Sequence, residues 1–178
     1  MCTKGQAVRE AAHVVVIVMG VAGSGKTTVG TRLAQALGWS FRDGDEFHSE
    51  ANIAKMARGS ALTDEERAPW LERMREVIRR ALDSGEGLVL ACSALKAAYR
   101  ERLTVEPARQ RWVFLHASRE LLAHRLSARR DHFMPPSLLD SQLETLEVPE
   151  GVCSVDVSVP PEEVVARILQ SLDLGAPG

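Results

Sequence analysis

His13-Val14-Val15-Val16-Ile17-Val18-Met19-Gly20-Val21-Ala22-Gly23-Ser24-Gly25-Lys26-Thr27-Thr28 is the stretch that decides the reading of this chain. Its first half is a continuous apolar run of the kind a buried strand shows. From Gly20 to Thr27 it has the G-x-x-x-x-G-K-[ST] form of a phosphate-binding loop. Glycines there let backbone N–H groups point inward at phosphate oxygens without obstruction. Lys26 then reaches the β- and γ-phosphates, and the Thr27 hydroxyl takes a position on Mg²⁺. Residues 28–38 carry apolar side chains at helical spacing and stop at Gly38, which sets the phosphate on a helix N-terminus, where the dipole favours anions. Gly20, Ala22, Gly23, Ser24, Gly25, Lys26, Thr27 and Thr28 are therefore the expected ATP contacts. A chance glycine-rich turn would not carry both flanks in this order.

Composition narrows the partners. The chain has 178 residues, enough for one domain that buries a core without staples. A net charge of −2 gives no basic footprint, and 4% aromatics leave few stacking platforms, so no nucleic acid is expected. Cys2, Cys92 and Cys153 are widely spaced with no C-x-x-C, the pattern of free thiols in a reducing, cytoplasmic setting. Lys4 and Arg9 ahead of an apolar stretch imitate a signal peptide, but the strand and loop account for that stretch and His13 interrupts it. No run is long enough to cross a bilayer, so no membrane is expected. Residues 1–12 read as a disordered tail and 13–178 as a single domain.

Strands and helices alternate along the rest of the chain. Strands are expected at 39–43, 88–92, 112–116 and 153–157, and helices at 51–58, 63–83, 120–130 and 161–172. Thr63-Asp64-Glu65-Glu66 has the form of a capping box, and Pro69 predicts a kink or restart near Ala68. The fold implied is α/β, a doubly wound parallel five-stranded sheet that binds ligands beyond its carboxyl strand ends.

At one such end stands Asp43-Gly44-Asp45-Glu46-Phe47-His48. Two acids at i and i+2 of an extended segment face one side, with Gly44 giving room to turn. One acid can help hold Mg²⁺ through water while the other orients an acceptor hydroxyl. A surface turn is the plain alternative. The balance tips because the next strand ends Ala91-Cys92-Ser93, without the metal-binding acid many ATPases carry there, and Asp43 is the best-placed substitute.

These residues bring out a family resemblance. The phosphate loop, Asp43 to His48, Asn52 to Met56, Leu62-Thr63-Asp64 with Arg67 and Pro69-Trp70-Leu71, Ala91 to Lys96 with Tyr99-Arg100, His132-Phe133-Met134, and Ser141 to Glu147 together resemble the small phosphate-loop gluconokinases. These are ATP-dependent D-gluconate 6-kinases, related in fold to shikimate and nucleoside monophosphate kinases. Asp131 departs from the glycine usual before His-Phe, which bears on the local lid conformation. The resemblance implies ATP and Mg²⁺ as cofactors, D-gluconate as substrate and a homodimer as the assembly.

The remaining clusters agree with it. Arg125 and Arg129, at i and i+4, precede a segment punctuated like a mobile loop, so 125–140 reads as a lid whose arginines stabilise the transferring phosphoryl group. A solvated basic helix end is the alternative. Lys96, Arg100 and Ser93 follow the third strand and could meet a polyol carboxylate, or merely form a solvated face. His48, Lys55, Arg67, His132 and Gln142 complete the expected substrate side. Lys26, Asp45, Arg125 and Arg129 are the expected catalytic groups, Thr27 and Asp43 the metal side, and an Asp45 of ordinary pKa suffices. A kinase for another small acceptor and a non-catalytic nucleotide switch are the competing readings; the absence of N-K-x-D weighs against a guanine-nucleotide switch.

Overall fold

The computed structural model describes residues 14–129 and 137–174. Its five strands are β1 (Val15–Met19), β2 (Ser40–Asp43), β3 (Leu88–Ala91), β4 (Gln110–His116) and β5 (Cys153–Asp156). They form one all-parallel sheet in the order β2-β3-β1-β4-β5. The helices are α1 (Lys26–Leu37), α2 (Glu50–Ala57), α3 (Asp64–Ser84), α4 (Ala97–Leu103), α5 (Arg119–Ala128), α6 (Leu138–Thr145) and α7 (Pro161–Ser171). The expected doubly wound α/β fold is present.

Its two faces follow from the two-residue period of a strand, applied to an unbroken apolar run. Val14, Val16 and Val18 of the central segment meet Val29, Leu33 and Leu37 of α1 and Val164, Val165 and Ile168 of α7. Val15, Ile17 and Met19 point the other way, onto Trp70, Leu71, Met74 and Ile78 of α3 and Tyr99 and Leu103 of α4. No polar residue interrupts β1, because neither face sees water.

Several element ends differ from expectation for identifiable reasons. β4 begins at Gln110, two residues early. Gln110 is buried, but its amide oxygen accepts from Val105 N at 2.6 Å and Glu106 N at 2.8 Å, while its nitrogen donates to Leu103 O at 3.0 Å. A satisfied polar group thus opens a strand where apolarity alone would not mark one. α3 starts with the capping box of Thr63 and Glu66 and runs through Pro69 to Ser84 without restarting. Pro69 and Glu65 are both exposed, so water can serve the Glu65 carbonyl that loses its helical partner. α5 stops at Ala128, so Arg129 is its cap rather than a residue on a continuing helix face.

The strand order sets the site. β3 lies between β2 and β1, with Asp43 level with Ala91 and Ala91 level with Val18. The turn after β2, the loop after β3 and the phosphate loop after β1 therefore open at one edge, side by side. Gly44 makes this juncture close: a Cβ there would lie 2.7 Å from Ala91 O, 2.9 Å from Cys92 Cβ and 3.1 Å from Met74 Sδ. The need is for space, not for an unusual turn of the backbone. Gly44→Ala should accordingly destabilise the protein by roughly 1–3 kcal/mol, as overpacking does. Urea unfolding checks this, and an unchanged midpoint would contradict the close approach.

Candidate active site

Where β1 ends, the chain must leave a buried strand and enter α1 within six residues, Gly20 to Gly25. Gly25 manages the entry at φ +84°, as an N-cap with no side-chain hydrogen bond. Among the described residues no side chain caps the helix N-terminus, and its amides remain for an anion. Lys26, partly buried, folds back so that Nζ donates to Val21 O at 3.1 Å. The Ser24 hydroxyl is buried beneath the loop with no hydrogen-bond partner among the described residues. Beside the loop a cleft of about 370 Å³ is lined by Gly25, Thr28, His124, Arg125, Val157 and Val159, among others. Arg125 Nη2 donates to Val157 O at 2.6 Å, tying α5 to the segment after β5 across this cleft. Arg129 lines both the cleft and a smaller pocket that holds Lys26, Asp43, Asp45, Ser93 and Gln142.

The acid turn is built differently from expectation. Asp43 closes β2, but Asp45 belongs to a one-turn 3-10 helix, Gly44–Phe47, rather than to an extended segment. The cause is a local capping box: Asp45 N donates to Asp43 Oδ1 and Asp43 N donates to Glu46 Oε1, both at 3.0 Å. The other oxygen of Asp43 accepts from the Thr27 hydroxyl at 2.6 Å. Thr27 and Asp43, the expected metal side, are thus in direct contact. Both acids still line the pocket of Lys26.

Electrostatics in that pocket are not ordinary. The Asp45 carboxyl is pushed up to about 6, first by burial and then by the neighbouring Asp43 charge, with Lys26 opposing. An ordinary carboxyl would suffice for the role expected of Asp45; burial and Asp43 hold it above that range. Burial likewise holds Lys26 below the usual lysine range, against the pull of Asp45 and Asp43. Cys92, behind them, is buried and its thiol is pushed up to about 12, chiefly by burial, which makes it a packing residue and not a nucleophile.

On the acceptor side the His48 ring stacks on Trp70 with centroids 4.4 Å apart and planes 10° from parallel. Trp70 is itself buried and donates from Nε1 to Gly44 O at 2.7 Å, so it belongs to the core and fixes the acid turn from behind. Burial, with Arg67 and Arg73 nearby, lowers His48 to about 4, so the ring is neutral; its buried Nδ1 has no hydrogen-bond partner among the described residues. Arg67 donates to the Tyr99 hydroxyl at 3.1 Å, Tyr99 donates to Asp64, and Lys96 Nζ meets Asp64 at 3.1 Å. Lys55 pairs with Glu66 at 2.8 Å. Asp64, Glu66 and Tyr99, which order these cations, had no part assigned in the site by the sequence reading, although Glu66 was read in the capping box and Asp64 and Tyr99 stand in the motif segments.

Two expected substrate contacts have other partners. Arg100 donates to the carbonyls of Ala94 at 2.9 Å, Leu95 at 3.1 Å and Glu147 at 2.9 Å, and so holds backbone. Gln142 accepts from Ala22 N of the phosphate loop at 2.7 Å. Ser93 does line the pocket of Asp45. His132 and Asp131, and with them the middle of the expected lid, lie outside the described residues.

Known proteins resemble this chain in sequence and in fold. The family model described as shikimate kinase matches residues 22–172. A gluconokinase of Gluconobacter oxydans is 47% identical over 157 residues, covering 86% of this chain and 88% of the relative. Among solved structures, a gluconokinase from Sinorhizobium meliloti is 44% identical with a TM-score of 0.81, covering 91% of this chain and 93% of its own. An unliganded sugar kinase from Janibacter is 42% identical with a TM-score of 0.84, covering 91% and 95%. The chain belongs to the shikimate kinase family and, within it, to the gluconokinases. No described helix is long and apolar enough to cross a membrane.

The raised Asp45 carboxyl has a consequence for stability. The folded state holds this proton more tightly than the unfolded chain, so the associated stability is present below about pH 4 and lost as pH rises through about 6. Asp45→Asn should therefore stabilise the protein at pH 7.5 by on the order of 1–3 kcal/mol, and by less at pH 4.5. Chemical denaturation at the two pH values checks this; equal effects at both would contradict the buried charge.

Proposed function

We propose that this protein transfers the γ-phosphoryl group of ATP to the C6 hydroxyl of D-gluconate, giving 6-phospho-D-gluconate and ADP. The observation that carries the reading is Asp45. It is an ionisable carboxyl beside Lys26 and Asp43 in one pocket at the mouth of the phosphate loop, facing the loop that bears Ser93.

In this reading the open N-terminus of α1, the loop amides from Gly20 to Thr28 and Lys26 hold the phosphates. The cleft along Arg125 and Val157 receives the nucleoside. Thr27 and Asp43 would hold Mg²⁺, Asp43 through water, because both offer hard oxygens. When bound, Mg²⁺ neutralises phosphate charge. Asp45, ionised above about pH 6, accepts a hydrogen bond from the C6 hydroxyl, orients it and takes its proton as transfer proceeds. Transfer passes through a loose transition state, so orientation and charge neutralisation matter more than basicity. Arg129, lining both cavities, supplies positive charge to the moving group, with Arg125 fixing the helix that carries it.

For the acceptor, neutral His48 meets a hydroxyl, and Arg67 with its Tyr99 partner faces the substrate carboxylate, with Lys55 and Lys96 positioned by their pairs with Glu66 and Asp64. His132 is kept as a substrate contact on the family resemblance. Free thiols at Cys92 and Cys153 support a cytoplasmic location for this single kinase domain of residues 13–178, and the resemblance supports a homodimer.

Purified protein with Mg·ATP should convert D-gluconate to 6-phosphogluconate, with neither shikimate nor a nucleoside monophosphate replacing it. Turnover should fall about tenfold per pH unit below the Asp45 midpoint, as the base becomes protonated. Lys26→Ala should lower turnover roughly a hundredfold or more while leaving the fold intact. Phosphate located elsewhere than on C6, or ADP release indifferent to gluconate, would refute the reading.

A further inference from the structure

α6 packs across the mouth of the site and touches both halves of it. Leu139 is buried there, with Leu143 and Leu146 partly buried, against Val21 and Ala22 of the phosphate loop, Leu95 after β3, and Leu122 and Leu126 of α5. Two polar grips sit on this apolar seat. Gln142 Oε1 accepts from Ala22 N at 2.7 Å, a contact between residues 120 positions apart that chain connectivity does nothing to impose. Just past the helix, Glu147 N donates to Leu95 O at 2.8 Å, Glu147 Oε2 accepts from Ala97 N at 2.8 Å, and Glu147 O accepts from Arg100 Nη2 at 2.9 Å.

The loop held by Glu147 needs holding. Ala94 is buried and adopts φ +43°, a left-handed conformation that a Cβ disfavours. Arg100, anchored on Glu147 O, also donates to Ala94 O and Leu95 O. The conformation persists because its surroundings over-determine it. What this secures is the direction of Ser93, which lines the same pocket as Asp45, Lys26 and Gln142.

We propose that Gln142 and Glu147 are positioning residues, which use α6 as a brace to fix the phosphate loop against the Ser93–Lys96 loop and so set the distance between phosphoryl donor and acceptor. Gln142 acts through Ala22, and the Glu147 side chain acts through Ala97, beside backbone contacts to Leu95 and Arg100 that do not depend on that side chain. The brace rests on the phosphotransfer reading above. Its chemical logic is that reacting groups must meet within a few tenths of an ångström, and a misplacement of about 1 Å costs up to a hundredfold in rate. β1 and β3 fix their own registers; beyond them the two loops are joined by this apolar cluster and by the hydrogen bonds of Gln142 and Glu147.

The test uses the full-length protein as Gln142→Ala, Glu147→Ala, Glu147→Gln and the double alanine variant. kcat for gluconate phosphorylation, the ATP dissociation constant and amide exchange at Ala22 and Ala97 are measured on each. Each alanine variant should lower kcat roughly ten- to a hundredfold, with ATP affinity within about twofold of the parent. The double variant should be no worse than the worse single one, because the two grips act as a unit. Glu147→Gln should recover most of the loss, since its amide oxygen can still accept from Ala97 N. Exchange at Ala22 should rise in Gln142→Ala whether or not gluconate is the acceptor, which separates failure of the brace from failure of the substrate reading. Losses that multiply in the double variant, a Gln142→Ala effect confined to the KM for gluconate, or unchanged exchange at Ala22 would each overturn the proposal.

Discussion

One carboxylate joins the two halves of the site. Asp43 Oδ2 accepts from the Thr27 hydroxyl at the first turn of α1, and Asp43 Oδ1 accepts from the Asp45 amide in the turn after β2. Neither oxygen can move without loosening the other contact. The sheet makes this possible by setting β3 between β2 and β1, so that the end of β2 faces the phosphate loop across a floor formed by Ala91 and Cys92. Gly44, pressed against that floor, and Trp70, donating to the Gly44 carbonyl, lock the turn from below and behind. The position of Asp45 is thus a consequence of packing across three strands and α3.

The site is also where the fold accepts strain. Asp45 and Lys26 both have their charged forms disfavoured by burial, Ala94 holds an uncommon backbone conformation, and Ser24 and His48 bury polar atoms that lack partners among the described residues. Each would be a defect in a core. Gathered at one edge of a sheet whose interior is apolar and well packed, Asp45 and Lys26 read as groups awaiting ligand atoms. Oppositely charged groups that share a partly buried pocket keep each other ionised, which is how Lys26 restrains the rise of the Asp45 carboxyl.

The phosphate loop and the positions of the five strands along the chain were legible in the sequence because both rest on local signals: glycine spacing, apolar runs and helix stops. The Thr63 cap was legible for the same reason. The turn at Asp43 to Asp45 was misread as extended, although its cause is equally local; Glu46 closes a capping box three residues after Asp43, but the signal at Thr63 leads a long helix and this one leads a single turn. Partners distant in sequence were out of reach. Nothing near Arg100 announces Glu147, and nothing near Gln142 announces Ala22. The raised carboxyl of Asp45 was hidden too, since burial is decided by what other elements cover. The resemblance named the segments holding Asp64, Tyr99 and Glu147 without saying what those residues touch.

The central claim is that Asp43 couples the metal side to the acceptor base, and the pH profile of kcat for Asp43→Asn, taken across a range of Mg²⁺ concentrations, tests it directly. Removing the Asp43 charge removes the second cause of the high Asp45 carboxyl while asparagine keeps an oxygen for the Asp45 amide. The acid limb should move to lower pH than in the parent, and half-maximal activity should need more Mg²⁺. An acid limb left at about 6 with an unaltered Mg²⁺ requirement would contradict the coupling.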